Sequence, residues 1–273
     1  MIDSFTELYG VFGNPVKHSK SPVIHNFAFQ YHNVNAVYLA FEPDGISKSI
    51  EAIRNLNIKG ASITLPFKES IMDYLDWVDE DAIAIGAVNT VINKEGFLQG
   101  FNTDYKAAVE PLKPFGISGK KVCVIGAGGA AQAVAYGIFK EKGHLVIVNR
   151  NKKRGETLAA KYSADFFPLD DKENLHKIQP DILINTTPIG MSPNILDLSF
   201  SLDYLNDHTI VMDIIYTPVK TRLLNEAQSK GCTIIDGLAM FLHQGAHQFR
   251  LWTGITPDIE LMRKAMLKDG KNS

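Results

Sequence analysis

The run KVCVIG over 121–126 passes without interruption into Gly126, Ala127, Gly128, Gly129, Ala130 and Ala131. An apolar strand that ends on a GxGxxA turn and then opens a helical stretch, here over 131–142, describes the first half of a βαβ unit. In such a turn the backbone N–H groups and the positive helix end can meet a pyrophosphate, which side chains would obstruct. Taken alone, the six residues also allow a turn that only packs helix on strand. The following strand supplies the context that favours a dinucleotide site.

That unit is one of a series. LVIVN, DILIN, TIVMDII and CTIID recur at intervals with helical stretches between them, as in a doubly wound, mostly parallel sheet. In the first hundred residues YGVFG, AVYLAFE, ASITL and AVNTVIN read as strands. The segments from Pro22, Ile46 and Phe67 carry apolar residues at the three- and four-residue spacing of core-facing helices. The fold class is therefore α/β with two domains, an N-terminal α/β domain and a Rossmann-like domain. Proline, glycine and charge concentrate in PLKPFGISGKK over 111–121, which places the passage between domains near there. The expected division is 1–104 and 105–238, with helices from about 239 to 273 packing back on the first domain. The polar tail from Lys268 to Ser273 is expected to fray.

A chain of 273 residues with 45% hydrophobic content can bury one large core or two modest ones. Its formal net charge of −2 offers no global positive field for nucleic acid or an anionic membrane surface, so a small-molecule partner is expected. Cys123 and Cys232 are the only cysteines and make no disulfide framework, as in a reducing compartment. No signal segment and no apolar run of about 18 residues occurs, so the expected location is the cytoplasm. None of the eight histidines has a metal-ligand spacing such as HExxH, so no metal is expected.

After the second strand of the dinucleotide unit, Val148, Asn149 and Arg150 stand where an NAD site offers an acid to the ribose 2′-hydroxyl. No acid is present; Arg150, Lys152, Lys153 and Arg154 form a cationic cluster instead. Cations at the positive end of a helix are unfavourable unless an anion joins them. NADP is favoured over NAD, with a solvated basic patch opening a helix as the alternative.

In the first domain Ser19 and Ser21 precede Pro22 and a helix. Ser21 at the N-cap and Pro22 at the first helical position are explained by helix chemistry alone, and Ser19 is not. Two hydroxyls beside a helix start suit one carboxylate. Thr64, Leu65, Pro66, Phe67, Lys68 reads as another helix start, with a lysine opposed to the dipole. Dipole and burial would lower such an amine's pKa toward general acid–base use; a solvated lysine is the alternative. Asp104 lies in or beside the cap of a helix over 105–112, and Asn89 and Thr90 offer hydrogen bonds to a polyhydroxylated ring.

Together these motifs resemble the shikimate dehydrogenase family, over nearly the whole chain and in the family's order. SKSPxxHN falls at 19–26, TxPxK at 64–68, GAVNT at 86–90, NTD at 102–104, NTTPIGM from Asn185, DIIYTP from Asp213 and QGAxxFxLWTG from Gln244. The resemblance implies NADPH-dependent, reversible reduction of 3-dehydroshikimate to shikimate in chorismate and aromatic amino-acid biosynthesis, in a cleft between the two domains. It implies Lys68 and Asp104 as the catalytic pair, Ser19 and Ser21 at the ring carboxylate, and Thr64, Asn89, Tyr216 and Gln244 on the rest of the substrate. The cofactor residues it implies are Gly126, Ala127, Gly128, Gly129, Ala130, Asn149, Arg150, Asn151, Arg154, Ile214, Gly237 and Met240. Ser62, Asn151 and Ala239 depart from the family's usual asparagine, threonine and glycine. A quinate/shikimate dehydrogenase using NAD and a non-catalytic NADP-binding sensor are the alternatives, and the assembly expected is a monomer or homodimer.

Overall fold

The computed structural model describes residues 2–269, which fall into two compact units, Met1–Thr103 with Leu242–Ser273, and Asp104–Phe241. The first unit begins with β1 (Glu7–Phe12), α1 (Ser21–Tyr31), β2 (Ala36–Phe41), α2 (Ile46–Asn55) and β3 (Gly60–Ile63). It continues through β4 (Trp77–Val78), α3 (Glu80–Ile85), β5 (Thr90–Lys94) and β6 (Phe97–Phe101). These strands form one six-stranded sheet in the order β2-β1-β3-β5-β6-β4. β1 runs parallel to β2 and β3, while β5 is antiparallel to β3 and β6. Side chains alternate across β1: Phe12 joins the core under α2, and Tyr9 and Val11 join Phe29, Tyr38 and Phe249 on the opposite face.

Two local expectations are corrected here. FLQGF forms β6, which pattern reading did not single out. A two-residue turn, Glu95 and Gly96, both at positive φ (54° and 92°), folds it back on β5, the geometry that matches strand twist in tight hairpins. The segment from Phe67 is no α-helix but a short 3₁₀ turn, Ser70–Tyr74. Phe67 and Ile71 are its buried anchors, and one turn of anchoring is too little to offset the nucleation cost of an α-helix.

The second unit opens with α4 (Asp104–Val109), prolonged by a 3₁₀ segment, Glu110–Phe115. Then follow β7 (Lys121–Ile125), α5 (Gly129–Lys140), β8 (His144–Asn149), α6 (Lys152–Lys161), β9 (Asp165–Pro168) and α7 (Lys172–Leu175). The unit closes with β10 (Ile182–Asn185), β11 (Ile210–Asp213), α8 (Arg222–Ser229), β12 (Thr233–Ile235) and the start of α9 (Gly237–Thr253). All pairs are parallel, in the order β12-β11-β10-β7-β8-β9. This is the doubly wound arrangement, and its strand order reverses between β7 and β10, where such sheets hold their ligands. Val122 and Val124 face α4 and α5, while Cys123 and Ile125 face the core under α8; burial on both sides explains why β7 reads as an unbroken apolar run.

From Leu242 onward α9 belongs to the first unit, as does α10 (Ile259–Asp269). Lys268 and Asp269 therefore end a helix instead of fraying, and 270–273 lie outside the described residues. Among the described residues no helix is long and apolar enough to cross a membrane.

Candidate active site

In the second unit Gly126 sits at φ +117°, and a Cβ there would strike the Thr186 hydroxyl; glycine alone meets both conditions. The Thr186 hydroxyl is fixed in turn by donating to the Ile125 carbonyl at 2.6 Å. A Cβ on Gly128 or Gly129 would meet no atom within 4 Å. The turn thus opens on space, and the first N–H groups of the twelve-residue α5 have no side-chain cap. A cavity of about 470 Å³ lies there, lined among others by Gly126, Ala127, Gly128, Asn149, Arg150, Asn151 and Arg154. Backbone N–H groups at a helix start suit a pyrophosphate, and two guanidinium groups at the same cavity suit a ribose phosphate.

Asn151 is the N-cap of α6, its side chain accepting from the Arg154 N–H at 3.0 Å while its carbonyl accepts from the Asn149 amide at 2.8 Å. The departure from threonine therefore keeps a capping residue. Lys152, Lys153 and Arg154 occupy the first turn of α6 without an acid among them. Gly129 and Ala130 begin α5. Ile214, Gly237 and Met240 do not line the cavity. Gly237 starts α9 where a Cβ would run into the Ile214 and Ile215 backbone, Ala239 donates its N–H to Asp236 at 3.0 Å, and Met240 is packed into the core.

The remaining wall, Thr186 to Ile189, comes from the segment after β10, whose placement at the sheet's reversal point was the available signal. Asn185 anchors it: its side-chain oxygen accepts from the Thr187 N–H at 3.1 Å and hydroxyl at 2.7 Å. Its amide donates to Asp213, which also accepts from the Ile215 N–H at 3.1 Å and the Thr221 hydroxyl at 2.7 Å. Asp213 has no exposed surface; burial pushes its carboxyl up to about 6 against the pull of those three donors.

In the first unit the Ser19 and Ser21 hydroxyls lie 3.2 Å apart, and the Ser21 N–H donates to the Ser19 hydroxyl at 3.3 Å. Ser21 is the first helical residue of α1 and makes no cap; Lys20 holds the N-cap position. The expected N-cap role is thus corrected, because the chain enters the helix one residue earlier than Pro22 suggests. Thr64 is half-buried, its methyl filling the space that a side chain on Gly13 would need. Lys68 is half-buried, and its carbonyl accepts from the Val88 N–H at 2.8 Å. With no α-helix beginning at Thr64, the dipole invoked for Lys68 has no source.

Asn89 is almost fully buried; its side chain accepts from the Thr103 N–H at 2.8 Å and donates to the Thr103 hydroxyl at 3.0 Å. The Thr103 hydroxyl also reaches the Gln244 carbonyl at 3.4 Å. Thr90, fully buried, donates to Asn89 at 2.7 Å and accepts from Gln248 at 3.0 Å, so its hydroxyl serves the interior and not a ring ligand. His25 is fully buried against Tyr38 with neither ring nitrogen hydrogen-bonded, and burial lowers it to about 3. Asp104, the first residue of α4, and Tyr216, stacked on Phe241 at 4.7 Å, belong to the second unit.

Three family models match the chain: the shikimate dehydrogenase substrate binding domain over 11–91, shikimate / quinate 5-dehydrogenase over 109–199, and the shikimate 5′-dehydrogenase C-terminal domain over 237–267. The shikimate dehydrogenase (NADP(+)) of Pyrococcus abyssi is 44% identical over 263 residues, covering 96% of this chain and 98% of that protein. A crystal structure of a shikimate dehydrogenase in complex with NADP+ superposes with a TM-score of 0.93 at 38% identity, covering 98% of this chain and 97% of the other. The Thermus thermophilus shikimate 5-dehydrogenase, in complex with NADP(H) and shikimate, gives 0.89 at 34% identity, with 96% and 99% covered.

Proposed function

The chain belongs to the shikimate dehydrogenase family, and we propose that it catalyses the reversible NADPH-dependent reduction of 3-dehydroshikimate to shikimate with Lys68 and Asp104 handling the proton. It is an NADP-dependent oxidoreductase acting on a CH–OH group, serving chorismate and aromatic amino-acid biosynthesis. The observation that carries this reading is the cavity bordered by both the glycine turn and Arg150 with Arg154, in a chain related almost end to end to NADP-dependent enzymes of this kind.

The first unit is the substrate-binding domain and the second the NADP-binding domain. Gly126, Ala127, Gly128, Gly129 and Ala130 present backbone N–H groups to the pyrophosphate. Arg150 and Arg154 pair with the 2′-phosphate, where a planar guanidinium makes two parallel hydrogen bonds. Asn149 and Asn151 shape that corner, and Ile214, Gly237 and Met240 border the nicotinamide. NADPH held there would supply the hydride for reduction of the ring ketone. Lys68 in its ammonium form gives a proton to the ketone oxygen as it becomes a hydroxyl, and Asp104 orients Lys68 and a neighbouring ring hydroxyl. Ser19 and Ser21 donate to the ring carboxylate; Thr64, Asn89, Tyr216 and Gln244 hold the remaining hydroxyls, so that alignment supplies most of the protein's share of the rate.

The test is to follow NADPH absorbance with 3-dehydroshikimate, then with 3-dehydroquinate, and to repeat both with NADH. Consumption of NADPH with the first ketone alone is expected. A preference for 3-dehydroquinate with NADH would establish the quinate reading instead, and absence of turnover with every pair the sensor reading. The enzyme works in the cytoplasm as a monomer or homodimer.

A further inference from the structure

Thr187 fixes which end of the Asn185 amide faces which neighbour. Its N–H only donates, so the atom that accepts it at 3.1 Å is Oδ1, and Nδ2 is left to face Asp213 at 3.0 Å. The Thr187 hydroxyl gives its single hydrogen to the same Oδ1 at 2.7 Å and accepts from the Ile189 N–H at 3.3 Å. The Ile189 carbonyl returns to the Asn185 amide at 3.4 Å. The stretch from Thr187 to Ile189, which lines the cavity beside the glycine turn, is thus wrapped around one side chain.

That side chain is held by Asp213. The Asp213 Oδ1 accepts from Asn185 and from the Ile215 N–H at 3.1 Å, and its Oδ2 accepts from the Thr221 hydroxyl at 2.7 Å. Thr221 is the N-cap of α8, and its oxygen accepts from the Leu224 N–H at 3.4 Å. The Asn185 carbonyl meanwhile accepts from the Ile214 N–H at 3.1 Å. Asn185, Asp213 and Thr221 have no exposed surface. Water cannot replace these partners, so a side chain at 213 that does not accept would leave the Asn185 and Ile215 N–H groups unpaired.

One carboxylate therefore ties together the ends of two neighbouring strands and the start of a helix. The wall after β10 and the segment after β11 are held at one spacing by it. We propose that Asp213 and Asn185 are positioning residues for the cofactor, Asp213 setting the Asn185 amide and Asn185 setting the backbone of 187–189 against the nucleotide. The inference rests on the NADP reading of the cavity and extends it to two residues that do not line it and act on the nucleotide only through that wall.

The experiment titrates the wild-type protein, Asp213→Leu and Asp213→Asn with NADPH, following nucleotide fluorescence so that Kd and the number of sites are read separately, and compares KM for NADPH and NADH. In Asp213→Leu the Kd for NADPH should rise about tenfold, the equivalent of one hydrogen bond. KM should rise by one common factor for both cofactors, because the 2′-phosphate is read by Arg150 and Arg154 and not by the wall. Asp213→Asn keeps Oδ1 as the acceptor for Asn185 and Ile215 and turns its amide toward the Thr221 oxygen, so Kd should return to within about twofold of the wild type. A residue that only maintained the fold would lower the number of sites and leave Kd in place. An unchanged Kd in Asp213→Leu, a loss confined to NADPH, or no recovery in Asp213→Asn would overturn the proposal. Should Asp213→Leu fail to fold, Asn185→Ala cuts the same link from β10 and must weaken NADPH and NADH alike; an unchanged Kd there overturns it as well. A wild-type protein that binds no NADPH refutes the cofactor reading itself, whereas NADPH binding that the substitutions leave untouched refutes only the positioning roles.

Discussion

The side-chain amide of Asn185 donates to the Asp213 carboxylate at 3.0 Å, from register-paired positions at the C-terminal ends of β10 and β11. Through the other side of the same amide, Asn185 holds Thr187, which lines the cavity proposed for the cofactor. A fully buried acid thus stands two hydrogen-bonded steps behind that wall.

Asp213 makes stability depend on pH in the direction opposite to an ordinary paired acid. Its carboxyl is raised from 3.8 to about 6, so protonation favours the folded state. The contribution is fully present below the unfolded value near 4 and is lost as pH rises through about 6, a change on the order of 3 kcal/mol. Urea unfolding of the wild type and Asp213→Asn between pH 4 and 7.5 should show the wild type losing stability relative to the variant as pH rises. Parallel curves would contradict this.

Replacing the proposed proton carrier should act on the chemical step. Lys68→Ala is expected to lower kcat by roughly 10²- to 10⁴-fold with KM for shikimate little changed, as for loss of a general acid–base group. Asp104→Asn, assayed separately, should lower kcat as well. A near-normal rate in the Lys68 variant would remove it from the mechanism.

Cofactor choice should reside in the corner after β8. Arg150→Ala is expected to weaken NADPH by about tenfold or more while leaving NADH almost unchanged, since only the former carries the 2′-phosphate. Equal losses, measured as KM for each cofactor, would mean that Arg150 does not read that group.

The glycine turn gives a purely conformational test. Gly126→Ala combines a positive φ with a collision at Thr186, which should cost about 1–3 kcal/mol of stability. Weaker NADPH binding should accompany a lower Tm, whereas Gly128→Ala, with open space around it, should lower NADPH affinity at nearly unchanged Tm.

Much was legible from local order. An apolar run ended by glycines and followed by a second strand favoured a strand entering a helix at a ligand site, because backbone conformation and burial there depend on neighbouring residues. The absence of an acid after β8 was equally visible. Less legible were the short elements: β6 depended on a Glu95–Gly96 turn without an asparagine signal, and the 3₁₀ turn after Lys68 on how few anchors the core accepts.

Sequence alone determined the α/β class, the parallel order of strands and helices in the second unit, and the residue types offered to a phosphate and a carboxylate. Tertiary structure decided which polar groups serve the interior. Tyr38 meets Ser62 across 24 positions and Ser62 meets Gln248 across 186. A buried hydroxyl has one hydrogen to give, and its direction follows from partners that only folding assembles.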